Sequence, residues 1–168
     1  MKTKNLLFII FIAIIFVLTA CPYKSKVPID VPNQEINKEL IGKWIKKADK
    51  SNDNPEYFMI SKRSDKFKCD IVKFEYQSSD STYKKTKYIT HFTTIKNKLF
   101  LNMQKEDEDD FYLHRLDLSG DEFVLYELTE NIDEQFTSSK ALKKFIKKNM
   151  KHSFFYNKDE KKYIKVNK

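Results

Sequence analysis

The side chains able to do chemistry are few and far apart. Histidines stand at 91, 114 and 152, and none is spaced from a cysteine or a carboxylate as metal ligands are. A catalytic zinc takes three protein ligands and a structural one four. His91 and His114, both on predicted strands, could approach each other but lack a defined third ligand. Glu106 to Asp110 set five carboxylates in a row. Calcium loops alternate their ligands and turn on a glycine; this run does neither and reads as a solvated hairpin tip. The sequence holds no H-E-x-x-H, C-x-x-C or G-x-S-x-G, and its two glycines leave no material for a phosphate-cradling loop. No serine is marked as a nucleophile, and a hydrolase would need His91 or His114 bonded to a serine or aspartate in a cleft. The expectation is a chain with no enzymatic activity, cofactor or metal.

The two cysteines sit in different contexts. In "KFKCDIV", Phe67, Cys69 and Ile71 alternate onto one face of a strand, which predicts a buried thiol. Cys21 instead closes the stretch "MKTKNLLFIIFIAIIFVLTAC". Lys2 and Lys4 begin it, Leu6 to Leu18 form an apolar run of 13 residues, and the small Thr19 and Ala20 follow. A bilayer-spanning helix needs about 20 apolar residues, so this layout reads as a secretory signal. Its end, "LTAC", is similar to the lipobox of bacterial lipoproteins. That resemblance implies cleavage between Ala20 and Cys21, diacylglycerol on the Cys21 sulfur and acylation of the new amino terminus. Two or three acyl chains hold a protein stably where one holds it marginally. On this reading residues 1–20 are a signal peptide. The mature chain is lipid-anchored in the cell envelope, the membrane is its partner through Cys21, and Cys69 is left without a disulfide partner.

Positioning any site falls to a domain rich in strands. With 14 Phe, 9 Tyr and 40% hydrophobic residues, the chain has the material for a packed core. Its prolines, at 22, 28, 32 and 55, all precede residue 56. The rest therefore reads as one domain without an internal linker. "PYKSKVPIDVPNQEI", with three prolines, predicts an extended tether over residues 21–39, with folded structure from about Leu40 to the end, residue 168. Alternation predicts strands near 43–48, 55–62, 66–76, 83–95, 98–104, 110–118, 121–129 and 161–166, separated by turn material such as "SNDNP", "SSDS" and "SGDE". One segment breaks that rhythm. Leu142, Phe145, Ile146 and Met150 fall at helical spacing among lysines, after a capping Ser138 or Ser139. Closure removes the exposed edges that long strands would otherwise present. The predicted fold is therefore a mainly β, eight-stranded antiparallel up-and-down barrel with one amphipathic C-terminal helix.

Gly42-Lys43-Trp44 resembles the G-x-W that opens the first strand of lipocalins. The order of tether, motif, meander, helix and final strand also resembles that family, and small lipocalin-like lipoproteins of bacteria in particular. The resemblance implies a barrel over residues 40–168, with Trp44 closing its bottom and Gly42 letting the chain curl beneath. It also implies an arginine packed over the tryptophan, and Arg63 and Arg115 are the only arginines in the chain.

Charge narrows the partners. Residues 139–168 hold 11 lysines against Asp159 and Glu160, so the C-terminal region is strongly basic. That face could meet anionic headgroups, or the lysines could simply solvate a helix whose apolar stripe is buried. Export and the scarcity of arginine argue against nucleic acid. The expected function is a lipid-anchored, non-enzymatic envelope protein whose lipocalin-like domain acts as a binding or envelope-structural module; a small apolar ligand, if it binds one, would lie among inward-facing aromatics. The alternative is an envelope protein-interaction module, an inhibitor or accessory subunit. Interior volume separates them, because a barrel packed solid with Phe and Tyr carries no ligand.

Overall fold

The computed structural model describes residues 22–129, 131–158 and 160–166. The expected signal peptide over residues 1–20, the cleavage point at Ala20 and the expected lipid-attachment residue Cys21 lie outside the described residues. Nine strands and one helix follow in order: β1 (Lys24–Ser25), β2 (Gly42–Lys46), β3 (Tyr57–Lys62), β4 (Cys69–Gln77), β5 (Thr82–Ile95), β6 (Lys98–Lys105), β7 (Phe111–Ser119), β8 (Glu122–Glu127), α1 (Ser139–Asn149) and β9 (Lys161–Val166).

Strands β2 to β8 form an antiparallel meander, and β9 inserts between β8 and β2 to close it. β7 also pairs with β8, so eight strands make a closed, wholly antiparallel barrel, as expected. Two of its hairpins are minimal. Ile95 pairs with Lys98 around Lys96-Asn97, and Ser119 with Glu122 around Gly120-Asp121. Lys96 (φ 47°), Asn97 (φ 62°) and Gly120 (φ 56°) take the left-handed conformations that match strand twist in such tight turns.

The period-two alternation sorts each strand into two faces. Phe58, Ile60, Cys69, Ile71, Phe92 and Leu101 point inward and join one buried cluster with Trp44, Phe123 and Tyr163. On β5 to β7 the outward face is buried as well. Ile95, Phe100 and Leu113 belong to a second cluster with Leu142 and Ile146 of α1 and Met150 just after it. Ser138 caps that helix by accepting from the Ala141 amide at 3.3 Å. The expected apolar stripe thus packs on the barrel wall, while Lys147 and Lys148 of the last turn face solvent.

The segment expected to run as a tether is instead a strap laid along the outside of the barrel. β1 pairs with β7 at Tyr112 and Phe111. Ile29 is fully buried in the outer cluster, and its amide donates to Asn102 Oδ1 at 2.6 Å. Farther along, the Asp30 carboxylate pairs with Lys143 of α1, Gln34 Oε1 accepts from Thr94, and Glu35 pairs with Lys66. The physical reason is that three prolines stiffen the backbone without preventing it from docking. Burying Tyr23 and Ile29 stabilises the strap by roughly 2 kcal/mol per side chain.

At its far end the strap enters a 3₁₀ turn, Lys38–Leu40, and plugs the barrel. Trp44 is fully buried beside Leu40, donating its indole N–H to the Leu40 carbonyl at 2.8 Å. Gly42 has φ +130°, a conformation that L side chains rarely adopt, and an added Cβ would meet Lys165 Cε at 3.4 Å. No arginine covers the tryptophan; the Lys165 ammonium lies 5.4 Å from its ring centroid instead. Arg63 pairs with Asp70, and Arg115 lies 3.8 Å over Tyr126.

Candidate functional site

Opposite the Trp44 plug the barrel is open, and its mouth is the concave site with the most varied chemistry. Tyr88, Met103 and Tyr112 line it from one side, with Phe58, Leu125 and Tyr163 from the other. His114, Glu127, Lys73 and Lys161 supply polar groups, and Pro22 of the strap sits at the rim. Its volume is about 120 Å³. Deeper in, between Ile60, Ile71, Phe92, Leu101, Leu116 and Phe123, only about 10 Å³ remains, which is room for about one water. Drug-sized ligands occupy cavities of about 300–1,000 Å³. Inward aromatics therefore fill this barrel rather than line a chamber.

The mouth is organised by charge. Glu127 lies 3.6 Å from His114 Nε2 and 3.6 Å from Lys161, and accepts from Asn157 Nδ2 at 3.2 Å. His114 beside it holds its carboxyl down to about 2, against the burial that would raise it. A second group joins Glu56, Lys73 and Glu75: Lys73 lies 3.6 Å from Glu56 and 2.7 Å from Glu75, and Tyr163 donates to Glu56 Oε1 at 2.9 Å. Burial pushes the Tyr163 phenol far up and that of Tyr88 up to about 12, so both stay neutral donors. Glu127 and Glu56 are thus committed to partners at hand. No serine, threonine or cysteine is among the residues lining the mouth.

The histidines separate into three environments. His114 faces the mouth. His91 faces outward under the strap, with Nε2 2.8 Å from the Asp30 carbonyl. Burial lowers its pKa, offset in part by that carbonyl. The two cannot share a metal, because they lie on opposite faces of the sheet, and the approach that the sequence left open does not occur. His152 is exposed and stacks on Phe154 at 5.0 Å. Among the described residues, no three His, Cys, Asp or Glu side chains gather as a metal site would require.

Cys69 is fully buried inside the barrel, and burial raises its thiol to about 12, which leaves it inert at neutral pH. The acidic run is more than a solvated tip. Glu108 accepts from Lys105 at 2.6 Å, Tyr112 at 2.6 Å and Lys24 at 3.1 Å, and Lys105 first among these holds its carboxyl down to about 2. Asp110 pairs with Lys26 at 2.6 Å. The run therefore secures the start of the strap, the segment that its prolines made read as a tether. Asn102 was missed altogether. Its one signal is an amide on the outward register of an otherwise apolar strand, "KLFLNMQK".

No protein-family model, curated protein or solved structure matches the chain. Among the described residues, no helix is long and apolar enough to cross a membrane.

Proposed function

We propose that this chain is a lipid-anchored, non-enzymatic protein of the bacterial cell envelope. Its lipocalin-like barrel serves as a rigid protein-interaction module, an inhibitor or accessory subunit, rather than as a carrier. The observation that carries this reading is the filled interior. A side-chain core with about 10 Å³ of free space cannot admit an apolar ligand without unpacking Phe92, Leu101 and Phe123. The anchor rests on the resemblance of Leu18-Thr19-Ala20-Cys21 to a lipobox, with membrane attachment through Cys21.

Titration with an environment-sensitive apolar fluorophore tests the interaction reading. The expected result is no saturable binding, and one-to-one binding displaced by fatty acid would restore the carrier. In-cell crosslinking from exposed wall positions should then yield a discrete envelope partner, and its absence counts against the module. Detergent partition and mass analysis of the mature amino terminus test the anchor, with Cys21→Ala expected to abolish both cleavage and membrane retention.

A second reading, a small amphipathic ligand held in the mouth, is favoured by one feature. His114 Nδ1 is buried with no hydrogen-bond partner among the described residues, beside apolar Tyr88 and Met103. A guest larger than benzene exceeds the space, since a cavity of about 150 Å³ is what holds benzene.

A further inference from the structure

The strap leaves almost no slack between the anchor and the barrel. Pro22 lines the mouth, Tyr23 is buried with its amide donating to the Leu128 carbonyl, and Lys24–Ser25 pair with β7. Cys21 is joined directly to Pro22 in the sequence. Acyl chains on Cys21 would therefore leave the protein at the rim of the open end. They cannot fold back into it, because the mouth offers about 120 Å³.

A basic and aromatic turn occupies the same rim. The stretch "KKNMKHSFF" (147–155) finishes α1 and enters a 3₁₀ turn, Ser153–Phe155. The Phe155 carbonyl accepts from Thr129, the Asn157 amide donates to the Glu127 carbonyl, and Tyr156 bridges Leu128. Leu128 thus has Tyr23 on one side and Tyr156 on the other, two strand spacings or about 10 Å apart. From this turn Phe154 projects with 69% of its surface exposed, its ring stacked on His152. Lys147, Lys148 and Lys151 are exposed nearby in sequence. An apolar ring held in water among cations suits a boundary where hydrocarbon lies beneath anionic headgroups.

We infer that the open end of the barrel rests on the bilayer. Phe154 enters the interfacial layer, the lysines before it meet anionic headgroups, and the Trp44 end points away from the membrane. This rests on acylation of Cys21, and the test keeps the two apart. The full mature chain carrying Phe154→Trp is reconstituted in vesicles containing anionic phospholipid, with either plain or brominated acyl chains. Mass analysis of its amino terminus comes first, and an unmodified Cys21 would refute the anchor. With Cys21 acylated, bromine is expected to quench the introduced indole. The wild-type chain, whose single indole is Trp44, should keep its full emission. Equal emission of the variant in plain and brominated vesicles overturns the seating and leaves the anchor standing. Quenching of wild-type Trp44 overturns the orientation.

Discussion

Replacing Asn102 with alanine should unlatch the strap. Asn102 is fully buried on the outer face of β6, and three hydrogen bonds meet at its amide. Oδ1 accepts from the Ile29 amide at 2.6 Å, while Nδ2 donates to Thr93 Oγ1 at 3.1 Å and to the His91 carbonyl at 3.4 Å. The substitution leaves the Ile29 N–H buried without an acceptor, which costs about 1–3 kcal/mol. Losing the two donor bonds adds about 0.5–1.5 kcal/mol, since Thr93 and the carbonyl keep part of their bonding. Together these give roughly 3 kcal/mol, a fall in Tm of about 10 °C for a domain of this size. Urea unfolding measures the total, and hydrogen exchange at the Ile29 amide measures the local part. A local opening made easier by 2 kcal/mol speeds that exchange about 30-fold, given about 1.4 kcal/mol per factor of ten. A ΔG within about 0.5 kcal/mol of wild type, the range of an ordinary surface change, would falsify the latch. So would unchanged exchange at Ile29.

Gly42→Ala forces a Cβ into φ +130° against Lys165. It should cost about 1–3 kcal/mol by urea unfolding, and a loss no larger than that of Gly120→Ala, where nothing lies within 4 Å, would remove the special role of this bend. Stability should fall on the acid side in two stages. His91, held neutral by burial, takes up its proton more readily in the unfolded chain, so stability declines as pH drops below about 6.5. Glu127, depressed to about 2, contributes stability that is present above about pH 4.5 and lost as pH falls toward 2. Glu127→Gln should flatten the lower limb, and an acid-unfolding curve unchanged by it contradicts the assignment. In a Cys21→Ser chain, Cys69 should resist thiol reagents in native buffer and react at once in urea. Rapid native labelling would show that the barrel wall opens there.

Much of the architecture was legible because its signals are local. "KYITHFTTI" alternates, and β5 forms there; "TSSKALKKFIKKNMK" repeats at helical spacing, and α1 lies there behind its Ser138 cap. Closure of the barrel followed from the need to pair every edge. The strap was not legible, since Tyr23 and Ile29 are two isolated apolar residues among prolines and lysines. Nothing in their spacing says that Asn102, more than seventy positions later, awaits the Ile29 amide. For the same reason the alternation of "KYITHFTTI" did not mark His91 and Thr93 as buried, although they are, under the strap and helix.

By itself the sequence determined the class of fold and the inward set of Cys69, and it carried the resemblances of Gly42-Lys43-Trp44 to the lipocalin G-x-W and of its amino terminus to a lipobox. Each depends on period or on a short contiguous motif. Only the tertiary structure decided that the barrel is filled, that its outer wall is sealed by residues 22–36, and that the chain emerges at the open mouth. Free volume is the difference between the enclosed space and the side chains crossing it from eight strands. Docking of the strap depends on partners distant in sequence, which no local pattern encodes.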